Sequence, residues 1–502
     1  IKEDPKGYAM RRNLMVWTMT AVFCLFGQSV SIGEEGQALP KAYPLSLEET
    51  TELALVNNFD IQLTKYDTWI ARTDKKVAQS IYDTVLEAEI KYRNDQSKQS
   101  STPAGTKALD NDYNLGVSKL LPTGTTVSVD MTNNRSWTDS TVASSALTHD
   151  STLGVTIEQD LGKNFFGIQD RGDVKVTLVD IENTEYTTLD KIEQSIAEVQ
   201  KAYWDLVLEI ELVKIQEEMV AEAKKLYDLN QEKLKDGLVE IPEAIASEAN
   251  YKSRKNTLLL VQNSVKAKTN ILKLLLNIEE DVDIEPTENF DLSANGKEEV
   301  LLALKKAFEN RQDYKKANKE IESKDIKLTM KKNNMWPEIN LTATLEQNGL
   351  GDHFKHAVTQ ITEENNPDFF AGLKITFPLE NRAAKGELEA AELEKAKALL
   401  ELKLLERQIA IGITDQARDC NVFKEIAANS QEIASLQAQK LEGEVKRFGY
   451  GRSDTDTVIR FQEDLVLARS VVAEAIRRYQ GALVDLRKKE GTLLKEYFQG
   501  EI

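Results

Sequence analysis

Hydrophobic positions in this chain follow two periods, and the switches between them divide the sequence. The longest run reads Ile192, Ile196, Val199, Tyr203, Leu206, Ile210, Val213, Val220, Ala223, Tyr227, Leu234. Its 4-3 spacing is that of a coiled-coil seam. A flank of Val207, Leu208, Leu212 and Ile215 widens the stripe, which predicts packing against more than one neighbour. No Gly falls between Asp173 and Asp236, and no Pro between Thr123 and Ile241. A helix from about Thr177 to Lys235 is expected, roughly 90 Å long at ~1.5 Å per residue. Its break is Asp236-Gly-Leu-Val-Glu-Ile-Pro242. Gly tolerates the left-handed position past a helix end, and Pro suits the first turn of the next helix. A second helix, Pro242 to Asn277, then returns. The device recurs 214 residues on, at Gly449-Tyr-Gly-Arg-Ser-Asp-Thr-Asp456. It lies between a helix from about Ala383 to Arg447 and one returning to about Tyr497. Two tips imply two hairpins and an internal repeat.

Ahead of each hairpin the period changes. Ser46 and Glu49 form a capping-box pattern opening a short helix to about Val56. Asn57-Asn58 interrupts it, and a second helix runs from about Asp60 to Tyr82. Leu86, Ala88, Ile90 and Tyr92 then alternate as in a strand. Polar loops are expected over Asp95–Asp112 and Asn133–Asp150. Between them, alternating runs from Tyr113 to Met131 flank Pro122-Thr-Gly124, a hairpin signature. Leu153–Ile157 is a further strand, followed by Phe165-Phe166-Gly167. Asp281–Asn295 reads as an acidic, Pro-containing linker. The plan then repeats: a helix over Lys297–Asn310, a strand over Ile339–Leu345, a loop over Gly349–Asp368, and a strand over Phe369–Phe377 closed by Pro378.

Asn310-Arg-Gln-Asp-Tyr matches Asn57-Asn-Phe-Asp-Ile, placing Asp313 opposite Asp60 at an offset of 253, against 214 between the tips. The first half therefore carries 39 additional residues where the Pro122–Gly124 hairpin lies, which reads as an insertion. The expected organisation is a leader over 1–31, a first repeat over 32–295 and a second over 296–502.

Charge and composition narrow the setting. The chain has 64 basic and 83 acidic residues, which disfavours nucleic acid as a partner. Met10 to Ser31 has a basic start (Arg11, Arg12), an apolar centre (Leu14–Phe26) and a small-x-small end, the pattern of a secretory signal peptide cut near Ser31. Residues 1–9 then lie upstream of the start. An N-terminal anchor helix is the alternative, short for a span. Removing residues 1–31 leaves a net charge of −21. Cys24 falls in that leader without the small preceding residue that lipidation needs, and Cys420 stands alone, so no disulfide framework is expected.

No nucleophile elbow, phosphate loop, zinc spacing or dinucleotide fingerprint is found; no enzymatic activity, cofactor or metal is expected. Asp352, His353 and His356 have ligand chemistry but fall in an expected loop, where solvation is the plainer reading. Arg171-Gly-Asp173 is a chance tripeptide, and Glu211, Glu217, Glu218 and Glu222 are a solvated face. Phe165-Phe166 and Phe369-Phe370 lie beside strands in both halves, either as interfacial belts of a membrane barrel or as ordinary sheet packing.

Several stretches together resemble the TolC-type outer-membrane efflux proteins. They are Leu45-Ser-Leu-Glu-Glu-(x)4-Ala-Leu-x-Asn-Asn58, Ile375-Thr-Phe-Pro-Leu-Glu-Asn-Arg382, Arg447-Phe-Gly-x-Gly451, Asp464-Leu-x-Leu-Ala-Arg469 and Arg478-Tyr-(x)2-Ala-Leu-(x)2-Leu486. The resemblance covers nearly all of the chain after the leader. It implies a mainly α fold with a small β part: duplicated helical hairpins forming a trimeric α-helical tunnel, with strands from three chains sharing one outer-membrane β-barrel. The inserted hairpin would either add strands to that barrel or project outside the cell.

The implied role is a passive exit duct of a tripartite efflux or type I secretion system in a Gram-negative outer membrane. Its partners would be a periplasmic adaptor and an inner-membrane pump. The tips would meet the adaptor through Asp236, Gly237, Leu238, Val239, Gly449, Gly451, Arg452 and Ser453. Glu240, Glu243, Asp454, Asp456, Thr457 and Arg460 would surround the aperture. Thr457 and Arg460 occupy positions where some members of the family carry a gating aspartate pair. The rival readings are a soluble periplasmic coiled-coil scaffold and a hydrolase with an unusual site.

Overall fold

In the first repeat, helix α1 (Leu47–Asn57) opens on the capping box read from the sequence, with Ser46 accepting from the Glu49 N–H at 3.2 Å and Glu49 accepting from the Ser46 N–H at 2.9 Å. Asn58 caps the next helix, α2 (Phe59–Gln79), through the Ile61 N–H at 3.0 Å. The computed structural model describes residues 42–98, 103, 105–279, 283–288, 290, 292, 298–495 and 497. The leader, with Cys24, lies outside the described residues.

Two helical hairpins of equal dimensions are the longest elements of the molecule. The first is α3 (Ile168–Lys235) with α4 (Ile241–Leu276). Ahead of the second stand α5 (Val300–Asn310), α6 (Gln312–Asn333) and α7 (Phe354–Glu363). The second hairpin is α8 (Arg382–Gly449) with α9 (Thr455–Glu490). The descending helices have 68 residues each and the returning ones 36, so every boundary recurs at 214. At ~1.5 Å per residue the long arms extend about 100 Å.

Helix α3 begins nine residues before the expected Thr177 and runs through Gly172. This glycine is buried, and a Cβ there would come within 2.4 Å of the Met330 sulfur. Close packing of α3 against α6, rather than a helix end, explains it. Ile192, Ile196, Val199, Tyr203, Leu206 and Ala223 of the apolar stripe are buried, as are Val207 and Ile215 of its flank.

The sheet departs further from expectation. Two short strands, β1 (Ala42–Leu45) and β6 (Asp283–Pro286), pair in parallel, so part of the expected Asp281–Asn295 linker is structured. The buried Tyr203 hydroxyl donates to the Leu45 carbonyl at 3.0 Å and fastens this pair to α3. The main sheet is antiparallel, in the order β2 (Thr84–Asp95), β3 (Ala108–Leu120), β4 (Thr125–Thr138), β5 (Leu147–Asp160), β7 (Glu338–Gly351), β8 (Pro367–Thr376).

Its strands continue into both segments expected as polar loops. Polar side chains there satisfy one another across the ladder: Ser136 donates to Asp110 at 2.7 Å and Asn134 to Asp112 at 2.5 Å. Loop-like composition thus marks strand ends. The expected Gly349–Asp368 loop contains α7, which lies over β5 and β7 with Ala357 and Ile361 buried. The hairpin expected as an insertion is β3–β4, wholly inside the sheet, and its Pro122–Gly124 turn abuts Gly167 at the top of α3.

Candidate functional site: the helical tips and the two-faced sheet

Both tips are built alike. At the first, the Leu238 N–H reaches the Lys233 carbonyl (2.8 Å) and the Gly237 N–H the Leu234 carbonyl (3.1 Å). At the second, the Arg452 N–H reaches Arg447 (2.9 Å) and the Gly451 N–H reaches Phe448 (3.1 Å). These are Schellman motifs, and Gly237 and Gly451 hold their left-handed positions at φ +72° and +70°. Gly449 is the last residue of α8 rather than the turn glycine.

The tips sit side by side. Asn230, fully buried, donates to Thr455 Oγ1 at 3.0 Å. The Lys233 ammonium donates to the Phe448 carbonyl at 3.3 Å and lies 4.0 Å from the Phe448 ring centroid. Buried Glu444 accepts from Ser453 and from Arg447. Sequence reading missed Asn230, Lys233, Glu444, Phe448 and Thr455. Their one visible signal is a polar Asn in line with the apolar stripe of α3.

What the tips expose matters for contact. Leu238 is 72% exposed and Tyr450 81%. Asp236, Gly237, Glu240, Gly449, Gly451, Arg452, Asp454, Asp456 and Arg460 are also exposed, while Val239, Glu243, Ser453 and Thr457 are half-buried. Asp454 caps α9, accepting from the Thr457 N–H at 2.7 Å and the Thr457 hydroxyl at 3.0 Å. These bonds, backbone first, hold its carboxyl below the usual range. Arg460 in turn donates to Thr457 at 3.1 Å. Lys233, Lys235, Lys446, Arg447, Arg452 and Arg460 offset the tip carboxylates, so the tips are mixed in sign.

At the other end, the sheet has two chemically opposite faces. The registers are unbroken on all five ladders, so each face can be read directly. One face carries Leu86, Ala88, Ile90 and Tyr92 on β2; Tyr113, Leu115 and Val117 on β3; Val127, Val129 and Met131 on β4; Leu153, Val155 and Ile157 on β5. It continues with Ile339, Leu341, Ala343 and Leu345 on β7 and Phe369, Ala371, Leu373 and Ile375 on β8. No carboxylate among the described residues of these strands lies on that face. Its cations, Lys119 and Arg135, stand near opposite ends.

The other face holds twelve carboxylates: Glu87, Glu89, Asp95, Asp110, Asp112, Asp130, Asp150, Glu158, Asp160, Glu338, Glu346 and Asp368. Against them stand Lys91, Arg93 and Lys374. The apolar band spans seven residues on β2, about 24 Å at ~3.4 Å each, close to the height of a transmembrane β-barrel's apolar belt. Among the described residues no helix is long and apolar enough to cross a membrane.

Aromatic residues mark the band's limits. Phe165 and Phe166 are exposed at the foot of β5, edge to face at 4.6 Å, with Trp336 and Phe377 exposed nearby in sequence at the feet of β7 and β8. Phe369 and Phe370 cannot both belong to one belt, because successive strand residues face opposite sides. Phe369 is on the apolar face, while Phe370 turns to the polar face and lies over Gly372.

Asp352, His353 and His356 converge within 4.8 Å, and all are exposed at the start of α7. Hydrogen bonds from His353 first and His356 second, at 3.1 and 3.0 Å, hold the Asp352 carboxyl low. His356 lies in α7, whereas Asp352 and His353 precede it in the expected connection. Cys420 is buried, and burial pushes its thiol up to about 12, which leaves it unreactive.

No family model and no curated protein matches the sequence. Solved structures do match. The CmeC outer membrane channel of Campylobacter jejuni superposes with a TM-score of 0.65 at 14% identity, over 92% of this chain and 90% of that one. VceC, an outer membrane protein of Vibrio cholerae, gives 0.64 at 15% identity, over 89% and 96%. The MtrE outer membrane channel of Neisseria gonorrhoeae gives 0.64 at 15%, over 89% and 88%. The chain has the fold of the TolC-type outer-membrane channels.

Proposed function

We propose that this chain is the outer-membrane exit duct of a tripartite efflux or type I secretion system, acting as a homotrimer. The observation that carries this reading is the two-faced sheet. A soluble scaffold would not place twenty-one apolar or aromatic side chains on one open face and twelve carboxylates on the other. Lipid would cover the first face and water the second, and a spanning sheet must close to satisfy its edges.

The helices support a ring of copies. Near the sheet they form a row in which α2 packs on α3, α3 on α6 and α6 on α8. Both ends of the row carry exposed apolar stripes at coiled-coil spacing. On α2 it is Phe59, Leu63, Tyr66, Ile70 and Val77; on α8 it is Leu393, Leu400, Leu404 and Ile411. A neighbouring copy would cover one stripe with the other and continue a tunnel through the periplasm. The tips, with Leu238 and Tyr450 exposed, would form the periplasmic mouth and the seat of an adaptor, while an inner-membrane pump supplies the energy.

Cell fractionation tests the reading. The protein should stay with the outer membrane and need detergent for extraction as a trimer. Release in the osmotic-shock fraction would return the soluble scaffold to first place.

A further inference from the structure

We infer that the trimer closes as an eighteen-stranded barrel, because the inserted hairpin β3–β4 is a membrane-spanning part of its wall. This rests on the exit-duct reading and extends it to the bore. Each chain supplies six strands, and three chains supply eighteen; without the hairpin the count would be four and twelve.

Three observations place the hairpin in the wall. Its strands are central, pairing along 12 and 13 positions with β2 and β3 and along 13 with β5, so removing them would unpair β2 from the sheet. Its faces follow the rule of the other strands: Leu115, Val117, Val129 and Met131 on the apolar side, Ser118 and Asp130 on the polar side. Its tight turn lies at the helix end, against Gly167, while Asp95 and Thr138, where β2 and β4 lead into longer connections, lie at the far end. Short turns inside and long loops outside is the arrangement of outer-membrane barrels.

The edges then fit a second copy. With six strands, β2 runs away from the helices and β8 runs back toward them, so β8 of one copy meets β2 of the next antiparallel. The helix row ends on the same two sides, at α2 and α8, which directly adjoin those strands. Barrel diameter grows roughly linearly with strand number, so the wall would be about half again as wide as a twelve-stranded one. Barrels of about this size hold an open aqueous lumen.

Electron cryomicroscopy of the trimer in lipid nanodiscs counts the strands directly. Eighteen are expected; a trimer with twelve, the hairpin folded outside, would overturn this inference and leave the exit duct standing. Failure to find any membrane-embedded trimer would instead remove the exit duct itself. Single cysteines in a Cys420→Ser background give a second reading. Val129→Cys should resist a membrane-impermeant maleimide on cells that label Ser128→Cys by at least tenfold more. Equal labelling of both would place the hairpin in water and overturn the wall assignment.

Discussion

Glu193 lies on the buried side of α3, 3% exposed, and accepts the Leu493 N–H at 3.0 Å just beyond the end of α9. Burial dominates its titration and raises its carboxyl to about 7, against the pull of that bond. The folded chain therefore holds a proton there that the unfolded chain releases near the ordinary glutamate value. That contribution is whole below the ordinary value and is lost as pH rises toward 7, at up to ~1.4 kcal/mol per pH unit. Glu193→Gln keeps the acceptor and removes the titration. Its denaturation midpoint should exceed the wild type's at pH 8 and match it near pH 4; the same pH slope in both proteins would show that Glu193 is not the source. Leu238 poses a different question, since most of its surface stays exposed within its own chain. Leu238→Asp should leave trimers intact and weaken adaptor binding by at least tenfold, with export lost; a pull-down with undiminished adaptor would remove Leu238 from the contact. Gly237→Pro should likewise abolish export with trimers retained, because it forces φ away from +72°.

Helices and strands differed in how openly the sequence declared them. The long arms were legible because a 4-3 stripe uninterrupted by Pro has one reading, and the tips because Gly237 and Gly451 are the residues a left-handed helix end requires. The capping box at Ser46 was legible for the same local reason. The strand ends were not, because Asp110, Asp112, Asn134 and Ser136 carry loop composition, and only the register shows them bonding across strands. Helix α7 and the β1–β6 pair were hidden because ten- and four-residue elements take their stability from tertiary packing. The contacts that join the two tips, such as Asn230 to Thr455, link residues 225 apart and leave no local trace. The exposed stripes on α2 and α8 give a test at this scale. Ile70→Asp or Leu404→Asp should each cost a trimer interface about 3–5 kcal/mol by burying an unpaired charge. Native electrophoresis should then show monomers with unchanged helical circular dichroism; persistent trimers would mean that the stripes face something else.

Over the whole molecule, charge is distributed by height. The tips mix carboxylates with Lys233, Lys235, Arg452 and Arg460, and Asp454 is committed to capping α9, so the tips have no single sign. The polar face of the sheet does. Its twelve carboxylates and three cations leave nine negative charges per chain, or twenty-seven in the proposed trimer. A confined ring of one sign concentrates counter-ions and repels co-ions, most strongly when the Debye length approaches the pore radius. Purified trimers in planar bilayers should therefore prefer potassium to chloride by several-fold at 0.1 M salt, and less at 1 M. Replacing Glu89, Asp112 and Asp130 together by their amides removes nine of those charges in the trimer and should move the reversal potential toward zero. Neutralising Asp236, Glu240 and Asp456 at the tips should move it less. If the tip variant shifts it more, the periplasmic aperture sets selectivity and the barrel lining does not.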